Sequence, residues 1–205
     1  MPAFDVPANF AFDTYDELVA AINDWMDRGD LTGVAPQMIA LAEDEISVEV
    51  EPLFEELVDI ITVINGSGRL PEDVAHIRRV VSDGLILQNY GQRSARLLEA
   101  DSTLKGYSIE GDSIYLWPVR DALVAVHYQP KLRRLSPDTP NSDLMNRFPS
   151  LYFYAAMTFA EGYVANDPRA AVFRNLFENM LEKVRKYYLR QRHPGPLAPL
   201  IRNMP

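Results

Sequence analysis

The chain has 205 residues with 29 acidic and 20 basic side chains, a formal net charge of −9, three histidines and no cysteine. The lack of cysteine excludes disulfides, thiolate metal sites and thiol catalysis, and so acidic a balance argues against gripping phosphate backbones, which clustered Lys and Arg do by releasing counterions. At 47% apolar and 24% charged residues, the composition is that of a globular protein able to bury roughly 70% of its unfolded surface.

Residues 1–13 read as an N-terminal arm without the basic n-region of a secretory signal. No run in the chain approaches the roughly 18 apolar residues of a membrane span, so no membrane partner is expected. Tyr15, Leu18, Val19, Ile22, Trp25 and Met26 recur at spacings of three and four, which predicts a helix over 15–28, opened by a Thr14/Glu17 capping box. A second helix is expected over about 35–51, with Pro36 in its first turn, Met38, Ile39, Ala42, Ile46 and Val50 as its buried stripe, and Pro52 ending or kinking it.

From about 57 to 130 the texture changes to short β-branched or alternating runs: 60–64, 77–81, 85–87, 107–109, 114–117 and 123–128. Turn signals at Asn65-Gly66-Ser67-Gly68, Asp83-Gly84 and Glu110-Gly111-Asp112 separate them, which predicts a small, mostly antiparallel sheet. A short helix is read over 92–100, and the Ser-, Pro-, Asp- and Asn-rich stretch 136–149 as a loop. Helices are expected over 149–165 and 168–191, the second capped by Asp167 and Pro168 with Val172, Phe173, Leu176, Phe177, Met180, Leu181, Val184, Tyr187 and Tyr188 as its stripe. The fold class is therefore α+β: a bundle of two N-terminal and two C-terminal helices with a small sheet in one domain over 14–191. Residues 192–205 form an extended tail, because four prolines after position 193 impose a polyproline-like course.

No pattern of chemistry emerges from these elements. His76, His127 and His193 show no metal-ligand spacing, and Gly66-Ser67-Gly68 matches neither the nucleophile elbow nor the phosphate loop, so it reads as a turn. The runs Glu43-Asp44-Glu45 and Glu55-Glu56 read as solvated faces, since consecutive acids on a helix point in different directions. Arg133-Arg134 with Arg190 and Arg192 read as partners for acidic protein groups. No enzyme activity and no cofactor are expected.

Charge is unevenly spread. Residues 1–59 carry fifteen acids and one base, 60–168 carry twelve acids and eleven bases, and 169–205 carry two acids and eight bases. Opposite charge at the two ends of a chain lets copies attract head-to-tail, and such contacts make rings when they close. Glu43, Glu45, Glu55 and Glu56 with Arg185, Lys186, Arg190 and Arg192 are the candidate charges of a subunit interface or of a channel through such a ring. The tail residues Pro194, Leu197, Leu200, Ile201, Arg202 and Met204 are too apolar for a solubilising segment and call for a groove on a partner.

One set of residues is more specific. Thr14-Tyr15, Leu18, Ile22, Asp24-Trp25, Arg28 and Asp30-Leu31, followed by Pro36, Ile39, Leu41-Ala42-Glu43 and Ile46, resemble the N-terminal signature of the head-to-tail adaptor (connector) proteins of tailed bacteriophages. The similarity continues through Gly68, Leu70-Pro71, Asp73, Ile77-Arg78, Val80, Gly106-Tyr107, Ile109, Ile114 to Pro118 and Leu151-Tyr152, covering most of residues 14–190 in order. The resemblance implies a twelve-subunit ring in the virion, beneath the portal protein. Such a ring extends the DNA channel without sequence-specific binding, supports the next tail or neck component, and sends its C-terminal segment to the portal. The chain departs from such relatives at 46–51, acidic here where they often carry basic residues. Acids facing the bore would repel DNA phosphates and keep the duplex centred. Two other readings of the same residues are a non-virion assembly factor or intracellular protein-binding module, and a cation-dependent enzyme using the scattered acids.

Overall fold

Thr14 opens the first helix through its side chain: Glu17 N donates to Thr14 Oγ1 at 3.3 Å, and the Glu17 carboxylate accepts from Asp13 N at 2.7 Å. This is a capping box with its return arm one residue earlier than the usual pattern. The computed structural model describes residues 12–26, 33–91, 105–160 and 169–192. The chain forms two compact units, Phe54–Lys131 and Met1–Leu53 with Leu132–Pro205.

The discontinuous unit is helical. It contains α1 (Tyr15–Met26), α2 (Ala35–Val50) running into a 3-10 turn at Glu51–Leu53, α3 (Asp143–Arg147), α4 (Pro149–Thr158) and α5 (Arg169–Arg192). Residues 151–157 of α4 are all buried, as expected of a helix apolar on every side, and α1, α2 and α5 all pack against it. Trp25 of α1 and Phe173 of α5 meet Phe153 of α4 edge-on, with ring centroids 6.0 and 6.1 Å away, and Phe12 joins them at 5.8 Å. The predicted α2 stripe is buried throughout, and α5 buries Phe173, Phe177, Leu181 and Val184, while Val172 is exposed. Pro52 lies in the 3-10 turn that ends α2.

The predicted 136–149 loop contains α3. Ser142 caps it, accepting from Met145 N at 3.2 Å while its hydroxyl lies 3.2 Å from Tyr152 Oη. Loop-like composition hid a helix of barely more than one turn. The expected ends of the first and third helices, the start of the last, the 92–100 helix and the tail all lie outside the described residues.

The other unit is all β, and its limits match the predicted β region. Strands β1 (Leu57–Val63), β2 (Ser67–Arg69), β3 (Val74–Ser82), β4 (Leu85–Asn89), β5 (Gly106–Glu110), β6 (Ser113–Trp117) and β7 (Ala122–Pro130) form one sheet in the order β1-β7-β3-β4-β5-β6-β2. All neighbours are antiparallel except β4 and β5. The outermost strands, β1 and β2, are consecutive in sequence, and Ile64 and Ser67 exchange two backbone hydrogen bonds of 2.9 and 3.1 Å. The sheet thus curls on itself. It is a mixed, seven-stranded, barrel-like sheet rather than the small one expected, because strand pairing across the whole unit is not written in any local run. Its interior holds Ile61, Val63, Leu70, Val80, Leu87, Tyr107, Ile114, Leu116, Val124, Val126 and Tyr128.

The predicted turns carry positive φ: Asn65 and Gly66 at 51° and 75°, Asp83 and Gly84 at 52° and 74°, and Gly111 at 58°. Two successive positive values make the first two type I′ turns, whose twist suits a hairpin. Gly66 is the more constrained, since a Cβ there would lie 2.9 Å from Val119 Cγ1, whereas one at Gly84 meets nothing within 4 Å. Gly84→Ala is therefore expected to cost about 1 kcal/mol of left-handed strain, and Gly66→Ala about 2–3 kcal/mol through strain plus collision. Urea denaturation of the two variants checks this; equal losses would show that Val119 yields freely.

Candidate functional site

Three acids at and beyond the middle of α2 hold the chain where it re-enters the helical unit. Leu135 N donates to Glu43 Oε1 at 2.7 Å and Leu132 N to Glu51 Oε1 at 2.8 Å, while the Arg134 guanidinium pairs with Asp44. Glu43 does not belong to a solvated face: it is only 3% exposed. Burial raises its pKa from the usual carboxylate value to about 7, against the opposing pull of the Leu135 N–H and the Arg134 charge.

The remaining α2 acids meet the basic terminal helix of their own chain. Glu45 accepts from Arg174 at 2.6 Å and Glu49 pairs with Arg185. Arg192 donates to the Pro52 carbonyl at 3.0 Å, and Lys186 pairs with Glu182 one turn back at 2.9 Å. The structure thus brings Glu45 and Arg185 into ion pairs inside one chain. Glu55 and Glu56 are exposed just before β1, with no ion pair among the described residues. The tail candidates, Pro194 to Met204, lie outside those residues, as does His193.

Toward its C-terminus α5 carries an open groove of about 670 Å³ lined by Phe148, Lys183, Lys186, Tyr187, Arg190 and Gln191. The four α5 cations and aromatics recur at spacings that share one helix face. Phe148 and Tyr187 meet edge-on with centroids 5.4 Å apart. The Arg147 guanidinium sits 5.4 Å from the Tyr187 ring centre and hydrogen-bonds its hydroxyl, which also accepts from Gln191 Nε2 at 2.8 Å. The sequence places Tyr187 in the α5 stripe; an aromatic among Lys183, Lys186 and Arg190 on one helix face was the available signal.

The outer face of the β unit is unusually apolar. In register across four strands lie Ile60 of β1, Ala125 of β7, Val81 of β3 and Ile86 of β4, with Ile60 and Ile86 67% and 71% exposed and Leu123 beside them 65% exposed. Contiguous apolar surface of this kind marks contact with another molecule. Chemistry is sparse by comparison. His127 Nδ1 lies 3.2 Å from Arg79 Nη2, His76 is exposed on β3, and the described residues contain no group of three or more His, Asp or Glu placed to hold a metal. Gly66 lies in a turn and Ser67 and Gly68 in β2.

A family model described as SU10 adaptor protein matches residues 13–200. The chain belongs to the SU10 adaptor protein family. The adaptor's resemblance to phage head-to-tail adaptors, carried by Trp25, Pro36 and Ile39 and continued through Leu151-Tyr152, is thereby borne out. No curated protein matches the chain. Membership makes it a bacteriophage adaptor that works with other head or tail components of the virion, a structural role by the family's name. No described helix of the adaptor is long and apolar enough to cross a membrane.

Glu43 gives a pH signature. Its folded pKa is raised, so its contribution is fully present below the ordinary carboxylate value and lost as pH rises through about 7. The loss is about 3 kcal/mol, with Asp44, Arg134, Tyr15 and Tyr152 as the titratable and charged neighbours. Glu43→Gln keeps the acceptor for Leu135 N and removes the charge. Its stability relative to the native chain should rise between pH 5 and 8 in denaturant titrations; parallel curves would show that Glu43 stays ionised throughout.

Proposed function

We propose that the chain is a structural protein of the virion neck: twelve copies form a ring that joins the portal of the head to the next tail or neck component and continues the DNA channel. The observation that carries this reading is the family match over residues 13–200. The exposed apolar row on the β unit supports it, since a subunit that worked alone would leave that surface in water. Residues 194–205 bind the portal, with Leu197, Leu200, Ile201 and Met204 as anchors and Pro194 and Arg202 as further contacts. Exposed acids such as Glu55 and Glu56 face the bore or a neighbouring subunit, and DNA passes without being held because carboxylates repel its phosphates. No catalysis is involved.

Electron microscopy of purified protein or of particles tests the ring directly: a closed ring at the head–tail junction is expected, and absence of the protein from finished particles overturns the reading. Removing residues 194–205 should leave a folded subunit, unchanged in denaturation midpoint, that no longer joins portal-bearing heads. Undiminished docking of the truncated protein would place portal attachment elsewhere.

A further inference from the structure

The groove on α5 has a specific chemistry. Its floor is apolar, made of the Phe148 and Tyr187 rings and the aliphatic stems of Lys183, Lys186 and Arg190, while its rim is cationic. Arg147, stacked on Tyr187 and bonded to its hydroxyl, adds positive charge and locks the ring in place. Other bases of the same helix already have carboxylate partners: Arg174 with Glu45, Arg185 with Glu49, Lys186 with Glu182. Lys183 and Arg190 have none among the described residues; the Lys183 ammonium reaches only the Met180 sulfur at 3.8 Å. An acidic segment bearing an apolar side chain between its carboxylates fits such a groove. Nucleic acid fits less well, because the floor is apolar and the whole chain carries −9.

The chain itself displays the complement. Residues 55–60 read Glu-Glu-Leu-Val-Asp-Ile and all six are exposed. They lead into β1, an outermost strand hydrogen-bonded along its length to β7 alone. Glu55, Glu56 and Asp59 have no cationic partner among the described residues, and Leu57 between them is 44% exposed. In an extended course Glu55, Leu57 and Asp59 share one side, and the two acids stand about 13 Å apart. Lys183 and Arg190 stand about 10 Å apart along their helix, with the ring of Tyr187 between them. An acid–apolar–acid strand thus matches a cation–ring–cation helix face in order and in spacing.

We propose that the α5 groove receives residues 55–60 of a second copy of the chain, Glu55 and Asp59 pairing with Arg190 and Lys183 and Leu57 covering the Tyr187 and Phe148 rings. The contact is heterologous, joining different surfaces of the two copies, and repeats head-to-tail. It rests on the self-assembly reading above and names the surfaces that carry it.

The cysteine-free chain makes the test clean. Two single variants, Leu57→Cys and Gln191→Cys, are purified separately, mixed at up to about 1 mM and oxidised. A mixed disulfide dimer is expected at least tenfold above that formed by either variant alone. Adding Lys183→Glu and Arg190→Glu to the Gln191→Cys chain should abolish it, and adding Glu55→Lys and Asp59→Lys to the Leu57→Cys chain should restore it. All these positions are exposed, and an unchanged denaturation midpoint verifies that each variant is folded. The proposal is overturned by no mixed dimer, by one indifferent to charge reversal, or by a disulfide within one chain when both cysteines are placed in it at nanomolar concentration. Rings that persist in the charge-reversed protein would also overturn it while leaving the ring intact; a native protein that never forms rings in particles removes the ring reading instead.

Discussion

The helical unit depends on how α2 grips the returning chain. That unit is made of two stretches of sequence with the whole β unit inserted between them, so the segment 132–135, which leads into α3, α4 and α5, has to be held against α2. Carboxylates do this: Glu51 takes the Leu132 N–H and Glu43 the Leu135 N–H, while Asp44 holds Arg134 between them. Backbone N–H groups at such a crossing need partners, and Glu43 of α2 and Glu51 of the turn that ends it supply them at a spacing of eight residues. Glu43 meets the demand from inside the fold, where desolvation works against its charge. Downstream of this grip the aromatic cluster around Phe153 closes, and Phe148 takes its place beside Tyr187.

The charge asymmetry of the sequence acquires a different meaning from this geometry. A front block rich in acids and a terminal block rich in bases suggested attraction between copies. Asp44, Glu45 and Glu49 instead find Arg134, Arg174 and Arg185 in their own chain. These pairs are half-exposed, so each contributes at most about 1 kcal/mol. Their effect is on specificity: Lys183 and Arg190 on one unit, and Glu55, Glu56 and Asp59 on the other, are among the exposed charges that such pairs leave without an ion-pair partner among the described residues.

What was legible in the sequence follows the range of the interactions involved. Helical spacing found α1, α2, α4 and α5, because the apolar stripe that buries a helix repeats locally. Asn65-Gly66, Asp83-Gly84 and Gly111 announced their turns, because positive φ is a property of single residues. Longer-range facts left no such mark. The pairing of β1 with β7 and of β2 with β6 joins strands distant in sequence, the parallel pairing of β4 with β5 is written in neither strand, and β2 hid inside a stretch read as a turn. Glu43 looked like its neighbours Asp44 and Glu45, and only its position one residue round the helix, facing Leu135 rather than water, made it a buried group. The groove escaped for the converse reason: Tyr187 continues the apolar stripe of α5 in sequence, yet it is only half-buried and its hydroxyl meets Arg147, forty residues earlier.

The outer row of the β unit raises a last question of cause. Ile60, Val81 and Ile86 are β-branched, and strands favour such residues irrespective of contact. Propensity alone is an insufficient account, because Thr62, next on the same face of β1 and paired with Leu123, is β-branched and polar and satisfies the same backbone preference without exposing hydrocarbon. The interior does not require the row either, since the buried positions of the unit alternate with it and are already filled by Ile61, Val63, Val80, Val124 and Val126. The fold alone would therefore accept threonine at Ile60, Val81 and Ile86. Isoleucine and valine at three of the four positions, with Ala125 between them, expose more hydrocarbon than strand propensity asks for, and a surface of that kind suits a subunit that works against other molecules.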